Sequence, residues 1–380
     1  MNRNSKRLLF LFSDTGGGHR SAASAVAQAL RDLHGERAQV ELVDALADYA
    51  LWPFNRLGKI YPYLVRLGGW GWAAGYRLSD GPRRIGLLTS GCWPLARAGL
   101  RRLLRDHPAD LIVCCHPILN HLLLRALAGT RTPLITLITD LNTAHAFWVA
   151  PGVACCLAPT ARVQRCALTY KLPAERVIVT GLPVSPAFVA AAQQDRLAAR
   201  RGLGLRPDLP VALLVNGAEG MGALYRISRA IVGSGVQAQL VMIAGRNGRL
   251  QNRLRSEAWP LPVRVEGFVR NMHEWMRAAD LLVAKAGPST ISEALVMGLP
   301  IVLNGALPGQ ERPSVDYVVR AGAGVWAPTP RRTAAAVREL LSPGNPKLTQ
   351  MAACAQSLAQ PGAARHAAQI IWAAANNIDH

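Results

Sequence analysis

The sequence predicts an α/β protein with two doubly wound, Rossmann-like domains. Short apolar runs alternate with helical patterns along most of the chain, and the alternation starts again in the second half. Most of these runs are almost continuously apolar, as are strands of parallel sheets that are covered on both faces. Glycine-rich turns follow several runs, which is typical of βα turns at ligand-binding sheet edges. The length of 380 residues also exceeds what one hydrophobic core usually holds.

The N-terminal domain is expected over residues 1–186. Its first strand leads directly into a helix predicted at Arg20–Leu33. The stretch Gly181–Pro186 ends the domain, because its glycine and two prolines interrupt a sheet. The strands are predicted at Leu8–Phe12, Val40–Val43, Leu111–Cys115, Leu134–Thr139, Cys155–Leu157 and Val177–Val179.

The C-terminal domain is expected over residues 187–345. A charged helix at Asp195–Arg201 leads into it, and a helical tail over 346–380 follows it, with the last helix near Ala364–Ala375. Alternation of strands and helices indicates βαβ units here too. The strands are predicted at Val211–Val215, Gln239–Ala244, Val263–Val265, Leu281–Ala284, Ile301–Leu303 and Gly324–Trp326, and helices at Met221–Val232, Ser289–Met297 and Thr333–Leu341.

The composition limits the possible function classes. A net charge of +20 favours an anionic partner, which means nucleic acid, acidic lipid or a phosphorylated substrate. Seven cysteines without a CxxC pair indicate reduced thiols rather than a metal site or a disulfide framework. No apolar run reaches the roughly 18 residues of a transmembrane helix. The first apolar run is too short for a signal peptide, so a cytosolic protein is expected.

Residues 51–105 differ in composition from the rest of the chain. They hold ten Lys and Arg against one acidic residue, Asp80, and four of the nine tryptophans. Trp and Tyr suit a membrane interface, and basic side chains suit anionic headgroups. The segment therefore predicts a surface that enters a bilayer without crossing it. The alternative is a helical hairpin with aromatic residues in the core and solvated arginines. The aromatic residues are Trp52, Phe54, Tyr61, Tyr63, Trp70, Trp72, Tyr76 and Trp93.

Three histidines and one carboxylate follow predicted strands of the first domain. His19 ends a glycine-rich turn after the first strand, His116 follows the third, and Asp140 and His145 follow the fourth. Carboxyl ends of parallel strands meet at one sheet edge, so these side chains are candidates for acid–base chemistry. A lone histidine there is more often a structural hydrogen-bonding residue. No metal is expected, because the spacing is not typical of metal ligands.

Two glycine-rich turns of the second domain indicate a nucleotide site. One is Asn216–Gly222, after a predicted strand, and the other is Lys285–Thr290, before a helix. Neither matches GxxxxGK[ST] or a clean GxGxxG pattern, so a P-loop ATPase and an NAD site are both disfavoured. The carboxylate of Glu293 can accept hydrogen bonds from both ribose hydroxyls. Gln310 and Glu311 suit the hydroxyls of a sugar.

These motifs together resemble the monogalactosyldiacylglycerol synthases and the related bacterial diacylglycerol glycosyltransferases. That family is similar in fold to the lipid-linked muramoyl transferases of peptidoglycan synthesis. The resemblance covers roughly residues 8–325. The matching residues are Ser13–Ala22, His116-Pro117, Thr139–Leu141 with His145 and Trp148, Gly181–Val184, Glu219–Gly222, Gly245–Asn247, Gly267–Val269, Lys285–Pro288, Glu293-Ala294 with Gly298–Ile301, and Pro308–Glu311.

The resemblance implies a GT-B fold, in which two domains face a cleft. The N-terminal domain would bind the lipid acceptor and the C-terminal domain the nucleotide sugar. A hexosyl group, galactose or glucose, would pass from UDP-galactose or UDP-glucose to diacylglycerol with inversion. The implied donor-side residues are Gly222, Gly287, Pro288 and Ser289 at the diphosphate, Phe268 and Val269 at uracil, Glu293 at the ribose, Gln310 and Glu311 at the sugar, and also Arg246 and Thr290. On the acceptor side they are Gly17, Gly18, His145 and Trp148.

An inverting transfer needs one base for the acceptor proton and stabilisation of the departing UDP. His19 is the first candidate base and Asp140 the second, and Asp140 could instead orient His19 or His116. No DxD-like metal pair stands near the donor turns, so no cofactor is expected. Helix dipoles and backbone N–H groups would instead stabilise the negative charge of the departing UDP.

The chain departs from the family pattern at three donor-side positions. The glycine-rich turn of the second domain appears as Asn216–Glu219, Ser289 replaces the second glycine of Ala-Gly-Pro-Gly-Thr, and Pro313-Ser314 stand where Gly-Asn is common. The last change leaves galactose, glucose and an N-acetylated sugar open as the donor sugar. No plant transit peptide is present, so a peripheral enzyme on the cytoplasmic side of a membrane is expected. The alternatives are a GT-B transferase with another lipid acceptor, a nucleotide-sugar epimerase and a nucleic-acid binder. The last is disfavoured, because no nucleic-acid module is visible.

Overall fold

The computed structural model describes residues 5–14, 17–50, 54–56, 69–220 and 223–377. The chain divides into two compact units. The first unit is Met1–Pro186 with Pro308–Gln310 and Pro361–His380, and the second is Ala187–Leu307 with Glu311–Gln360. Both units alternate strands with helices.

The first unit contains one parallel sheet with the order β2-β1-β3-β4-β5-β6 among the described residues. Because β1 pairs with β2 on one side and β3 on the other, the chain changes direction across the sheet between β1 and β3. Such a switch point leaves a crevice at the carboxyl ends of the two strands. The elements are β1 (Lys6–Phe12), α1 (Gly18–His34), β2 (Ala38–Asp44), α2 (Ala45–Tyr49), α3 (Gly69–Ser79), α4 (Pro82–Asp106), β3 (Leu111–Cys114), α5 (Leu119–Ala126), β4 (Leu134–Leu137), β5 (Cys155–Ala158), α6 (Ala161–Thr169) and β6 (Val177–Val179).

Strand β1 shows why the runs are almost continuously apolar. Successive side chains of a strand point to opposite faces of the sheet. Leu9 and Leu11 lie in one buried cluster with residues of α5, whereas Leu8 and Phe10 lie in another with residues of α1. Both faces of the strand are therefore covered by helices, and neither set of positions can be polar.

The C-terminal segment 346–380 is divided between the two units and does not form one tail. Helix α15 (Pro346–Leu358) lies in the second unit, whereas α16 (Ala363–Asn376) lies in the first. Helix α16 buries a stripe of small residues, including Ala364, Ala367 and Ala368, in the cluster that also contains α1. The ring of Trp372 stacks on His34, with 4.1 Å between ring centroids. Small side chains let these two helices approach closely.

The second unit contains a parallel sheet with the order β12-β11-β10-β7-β8-β9 within the described ranges. Its switch point lies between β7 and β10. The two glycine-rich turns that indicated a nucleotide site follow these two strands. The remaining elements are α7 (Pro186–Ala192), α8 (Arg196–Gly202), β7 (Val211–Val215), α9 (Leu224–Val232), β8 (Gln239–Ile243), α10 (Gly248–Arg255), β9 (Val263–Glu266), α11 (Met272–Ala278), β10 (Leu281–Lys285), α12 (Pro288–Val296), β11 (Ile301–Gly305), α13 (Arg312–Arg320), β12 (Gly324–Trp326) and α14 (Pro330–Leu340).

The described part of segment 51–105 forms a helical hairpin, α3–α4. Four leucines of this hairpin expose much of their side chains, namely Leu78 (71%), Leu87 (76%), Leu88 (44%) and Leu95 (50%). Trp93 instead packs against the core and lies under the guanidinium of Arg125, 4.8 Å from the ring centroid. Across the described ranges, no helix is long and apolar enough to cross a membrane. Outside the described residues lie Trp52, Tyr61 and Tyr63, together with the side chains of Phe54, Trp70 and Trp72.

Candidate active site

The first cluster of candidate residues lies at the switch point of the first sheet. Gly17 precedes α1 with φ of 86°, a backbone conformation that favours glycine. The turn is held to the neighbouring strand because Asp14 N–H donates to Asp44 Oδ2 at 2.9 Å. Gly18 begins α1, so His19 stands in the first turn of the helix. Gly16 lies outside the described residues.

His19 is surrounded by side chains from the ends of three other chain segments. Its Nδ1 lies 2.7 Å from Thr139 Oγ1. Its ring centroid is 4.8 Å from that of His116 and 5.9 Å from that of Trp148. Burial lowers the pKa of His19 to about 4, although a backbone hydrogen bond to Cys115 and the charge of Asp14 act in the opposite direction. His19 is therefore a neutral imidazole at physiological pH.

His116 is buried beside His19. Burial lowers its pKa well below the usual value, and the neighbouring His19 acts in the same direction. Its Nδ1 is a buried atom with no hydrogen-bond partner among the described residues. A buried polar atom without a partner is costly in free energy, and such atoms are rare unless a ligand or water completes them.

Asp140 is buried, and both oxygens of its carboxylate accept hydrogen bonds. Trp148 Nε1–H donates to Oδ2 at 2.7 Å, and Gln310 Nε2–H donates to Oδ1 at 3.0 Å. Sequence reasoning considered Asp140 as the residue that orients His19. The structure instead places the hydroxyl of Thr139, the preceding residue, on His19 Nδ1. Thr139 is a site residue that sequence reasoning missed, because a threonine at a strand end gives no distinctive signal.

His145 organises the loop that carries Trp148. Its Nδ1 accepts from Phe147 N–H at 3.2 Å, and its Nε2 lies 3.0 Å from the carbonyl oxygen of Tyr76. The tautomer with hydrogen on Nε2 satisfies both contacts. Burial lowers the pKa of His145, while Asp80 and the Tyr76 carbonyl act in the opposite direction. His145 thus links the end of α3 to the 3-10 turn Ala146–Trp148.

The second cluster lies at the switch point of the second sheet. Lys285 ends β10, and its Nζ lies 2.5 Å from Glu311 Oε1. The other carboxylate oxygen of Glu311 accepts from Leu307 N–H at 2.8 Å. A Cβ built on Gly217 would be 3.6 Å from Lys285 Cε, and one built on Gly287 would be 3.5 Å from its Nζ. The ammonium group therefore lies between the two glycine-rich turns.

Lys285 and Glu311 change the interpretation of this site. The resemblance implied that Gln310 and Glu311 bind the sugar, and that role stays a prediction. In the structure the Glu311 carboxylate pairs with Lys285, and the Gln310 amide donates to Asp140. The oxygen Oε1 of Gln310 is buried and without a partner in the described part of the chain. Lys285 belongs to the predicted nucleotide turn, but sequence reasoning gave its side chain no role. Its signal was present, because a lysine ends an otherwise apolar buried strand.

The loops after β7 and β8 interlock and present an aromatic ring. Gly220 has φ of 56°, and a Cβ there would lie 2.0 Å from the carbonyl oxygen of Ala244, so no larger residue fits. Arg246 Nη1–H donates to Glu219 Oε1 at 2.6 Å. The guanidinium lies 4.6 Å from the ring centroid of Phe268, which is half exposed. This ring offers a flat surface of the kind on which a base stacks.

The other predicted donor-side residues lie at the start of α12 and after β9. Helix α12 begins at Pro288, one residue before the predicted start at Ser289, with Gly287 as N-cap, so Ser289 and Thr290 lie in its first turn. The N–H groups of a helix start favour anionic ligands. Glu293 follows on the same helix, and Val269 follows Phe268; both are half-buried, whereas Gly222 lies outside the described residues.

The two switch points and the likeness to solved structures define the GT-B fold. MurG from Acinetobacter baumannii is 16% identical with a TM-score of 0.61, covering 96% of this chain and 99% of that chain. UDP-GlcNAc 2-epimerase from Neisseria meningitidis bound to UDP-GlcNAc is 14% identical with a TM-score of 0.61, covering 98% and 100%. Anabaena Alr3699/HepE in complex with UDP and glucose is 15% identical with a TM-score of 0.59, covering 96% and 98%.

The sequence comparisons identify the family within this class. Residues 19–184 match the monogalactosyldiacylglycerol (MGDG) synthase family, and residues 222–365 match the glycosyltransferase family 28 C-terminal domain. A probable chloroplastic monogalactosyldiacylglycerol synthase of Glycine max is 39% identical over 374 residues, 94% of this chain and 69% of that protein. Monogalactosyldiacylglycerol synthase 1 of Arabidopsis thaliana is 37% identical over 372 residues, with the same coverage. The chain belongs to the monogalactosyldiacylglycerol synthase family and is a glycosyltransferase, as the sequence motifs predicted.

Proposed function

We propose that this protein transfers a galactosyl group from UDP-galactose to the free hydroxyl of diacylglycerol, with inversion at the anomeric carbon. The names of its relatives support galactose over glucose as the sugar. The observation that carries the mechanism is the neutral, half-buried His19 at the switch point of the first sheet. A general base must be unprotonated before it accepts a proton.

His19 is the proposed base. We assign the single N–H of the neutral ring to Nδ1, which lies 2.7 Å from Thr139 Oγ1, and we assign the backbone hydrogen bond to Cys115 to the same N–H. This assignment leaves the lone pair of Nε2 for the acceptor. As the hydroxyl oxygen of diacylglycerol bonds to the anomeric carbon, its proton passes to Nε2. The bond between the anomeric carbon and the diphosphate oxygen breaks at the same time, and its electron pair leaves with UDP. Asp140 and His116 then shape the pocket around this base, with Gly17 and Gly18 as its floor and Trp148 holding Asp140.

The second unit is the proposed donor side. The N–H groups of Ser289 and Thr290 in the first turn of α12, which begins at Pro288, and the ammonium of Lys285 would stabilise the charge that develops on UDP. Positive groups placed where the transition state gains negative charge are among the largest contributions to catalysis. Phe268 and Val269 would contact the uracil, with Arg246 behind the ring, and Glu293 would bind the ribose. No cofactor is invoked in this scheme.

The hairpin α3–α4 is the proposed membrane surface. Its four exposed leucines stand beside exposed basic residues such as Arg83, Arg84 and Arg97. Each basic residue near an anionic bilayer contributes about 1 kcal/mol. A peripheral protein that draws diacylglycerol from a bilayer needs both kinds of contact, because leucines enter the headgroup region and arginines bind anionic lipids. Nucleic acid is not a proposed partner.

Replacement of His19 tests the proposed base. We expect His19→Ala to lower galactosyl transfer by about 10²–10⁴-fold and to leave UDP affinity unchanged. The assay offers UDP-galactose and UDP-glucose with diacylglycerol and identifies the product lipid. Near-normal turnover of the variant would remove His19 as the base. Conversion of the UDP-sugar in the absence of diacylglycerol would favour an epimerase instead.

A further inference from the structure

Asp80 is the one acidic residue among ten Lys and Arg of residues 51–105. On a surface that binds anionic lipid, one negative charge opposes binding by about the 1 kcal/mol that one basic residue contributes. An acidic residue at this position is therefore expected to make contacts within the protein. Asp80 lies at the corner between α3 and α4, and its carboxylate faces the rest of the first unit.

The Asp80 carboxylate binds two groups from elsewhere in the first unit. Ala146 N–H donates to Oδ1 at 2.9 Å, and Tyr170 O–H donates to the same oxygen at 2.8 Å. His145 Nε2 lies 3.9 Å from this oxygen. On the solvent side, Arg84 Nη1–H donates to the Asp80 carbonyl at 3.1 Å. Hydrogen bonds to an ionised acceptor are roughly twice as strong as neutral ones, so this corner is firmly held.

A second contact ties the same corner to the same loop. The last carbonyl groups of a helix lack partners within the helix. His145 Nε2–H donates to one of them, that of Tyr76, at 3.0 Å, and Ser79 Oγ lies 3.2 Å from this nitrogen. The loop then turns through Ala146–Trp148 and ends on the indole that bonds Asp140. A short series of contacts therefore leads from Leu78, exposed beside Asp80, to the side chains around His19.

We propose that Asp80 is a positioning residue that ties the membrane-facing hairpin α3–α4 to the loop carrying Asp140 and Trp148, so that docking on a bilayer sets the acceptor side. The inference rests on the proposed function, because it takes the hairpin as the membrane surface. Asp80 touches no reacting atom, and it acts through Ala146 and Trp148.

The test compares variants on two forms of the acceptor. One form is dioleoylglycerol in phosphatidylcholine–phosphatidylglycerol vesicles, and the other is dioctanoylglycerol in detergent micelles. Asp80→Ala removes both hydrogen bonds, and we expect kcat on vesicles to fall by about 10- to 100-fold, the size of effect that a small misplacement causes. On micelles we expect a loss below about 3-fold, because there the loop need not follow a docked hairpin. Vesicle flotation should not weaken, because the variant loses a negative charge, and UDP affinity should not change.

Two further variants separate geometry from charge. Asp80→Asn keeps Oδ1 as an acceptor and removes the charge, so most of the vesicle activity should return. Asp106→Ala is the matched control, because its side chain is 39% exposed against 37% for Asp80 and it ends the same helical hairpin. It should leave both activities unchanged.

Four results would overturn the inference. Equal losses on vesicles and micelles would assign Asp80 a purely structural role. Equal behaviour of Asp80→Ala and Asp80→Asn would assign it an electrostatic one. Full vesicle activity of Asp80→Ala would remove the coupling while the membrane surface stands. Failure of the unmodified protein to float with vesicles would instead remove the membrane surface and the inference with it.

Discussion

The pair Lys285–Glu311 allows catalysis and stability to be separated in one experiment. The two charged atoms are 2.5 Å apart, and the side chain of Glu311 is only 4% exposed against 28% for Lys285. Lys285→Met removes the cation and leaves a buried carboxylate that still accepts from the Leu307 N–H. Breaking a buried pair from one side costs about 3–5 kcal/mol. Because Lys285 is partly exposed, we expect the low end of that range.

This loss has a measurable thermal consequence. For a unit of this size, a loss of about 3 kcal/mol lowers the Tm by about 6–12 °C. The double variant Lys285→Met/Glu311→Gln removes both charges, and most of that stability should return, because an uncharged pair of similar volume costs little. Lys347→Met is the control, since it breaks an exposed pair with Glu339 in the same unit, 2.8 Å long. Exposed pairs contribute at most about 1 kcal/mol.

The variants should rank differently by turnover than by thermal stability. If Lys285 faces the leaving diphosphate, both Lys285→Met and the double variant should lose about 10²-fold in kcat, as when one group that stabilises transition-state charge is removed. Differential scanning calorimetry gives the Tm, and transfer from UDP-galactose to diacylglycerol in mixed micelles gives kcat. Recovery of kcat together with Tm in the double variant would refute the catalytic role and leave Lys285 as a structural cation.

Two predictions concern the base. The lowered pKa of His19, about 4, means that the imidazole stays unprotonated as the pH falls, so kcat/KM should hold down to about pH 5 and decline only through about pH 4. A pH–rate profile of the free enzyme with an acid limb near pH 6.5 would contradict this. Thr139→Val removes the hydroxyl on His19 Nδ1 while keeping the shape, and kcat should fall about 10-fold, with Thr139→Ser recovering most of it. Equal kcat of the Val and Ser variants would show that the hydroxyl does not fix the ring.

The arrangement of strands followed from the sequence because parallel strands covered on both faces must be apolar at nearly every position. Strand ends were less well predicted. Strand β1 begins at Lys6, two residues before its apolar run, because the ladder with β2 continues to the pair Lys6–Ala38. Helix α14 begins at Pro330 rather than Thr333, since Thr329 caps it by accepting from Arg332 N–H. That cap is a signal that the sequence already contains.

Contacts between individual side chains did not follow from the sequence. The pattern of strand ends places a residue at a sheet edge, but rotamers and packing decide which neighbour it bonds. His19 therefore contacts Thr139 where an acidic partner was the alternative, and Glu311 pairs with Lys285. Asp80 is a stronger case, because its partners Ala146 and Tyr170 are 66 and 90 residues away in sequence. No local pattern records such a contact.

Buried histidines lie near the proposed base in the first unit, whereas a buried carboxylate pairs with a cation in the second. The proposed reaction needs both kinds of environment. In the first unit, burial lowers the pKa of His19, His116 and His145, so the groups around the proposed base carry no positive charge. In the second unit, the Lys285 ammonium lies beside the helix start and pairs with the Glu311 carboxylate. A base must be neutral to accept a proton, whereas a departing diphosphate gains negative charge. Under the proposed mechanism, exchanging the two environments would protonate the base and leave the diphosphate without a cation, so the division of these groups between the units fits that mechanism.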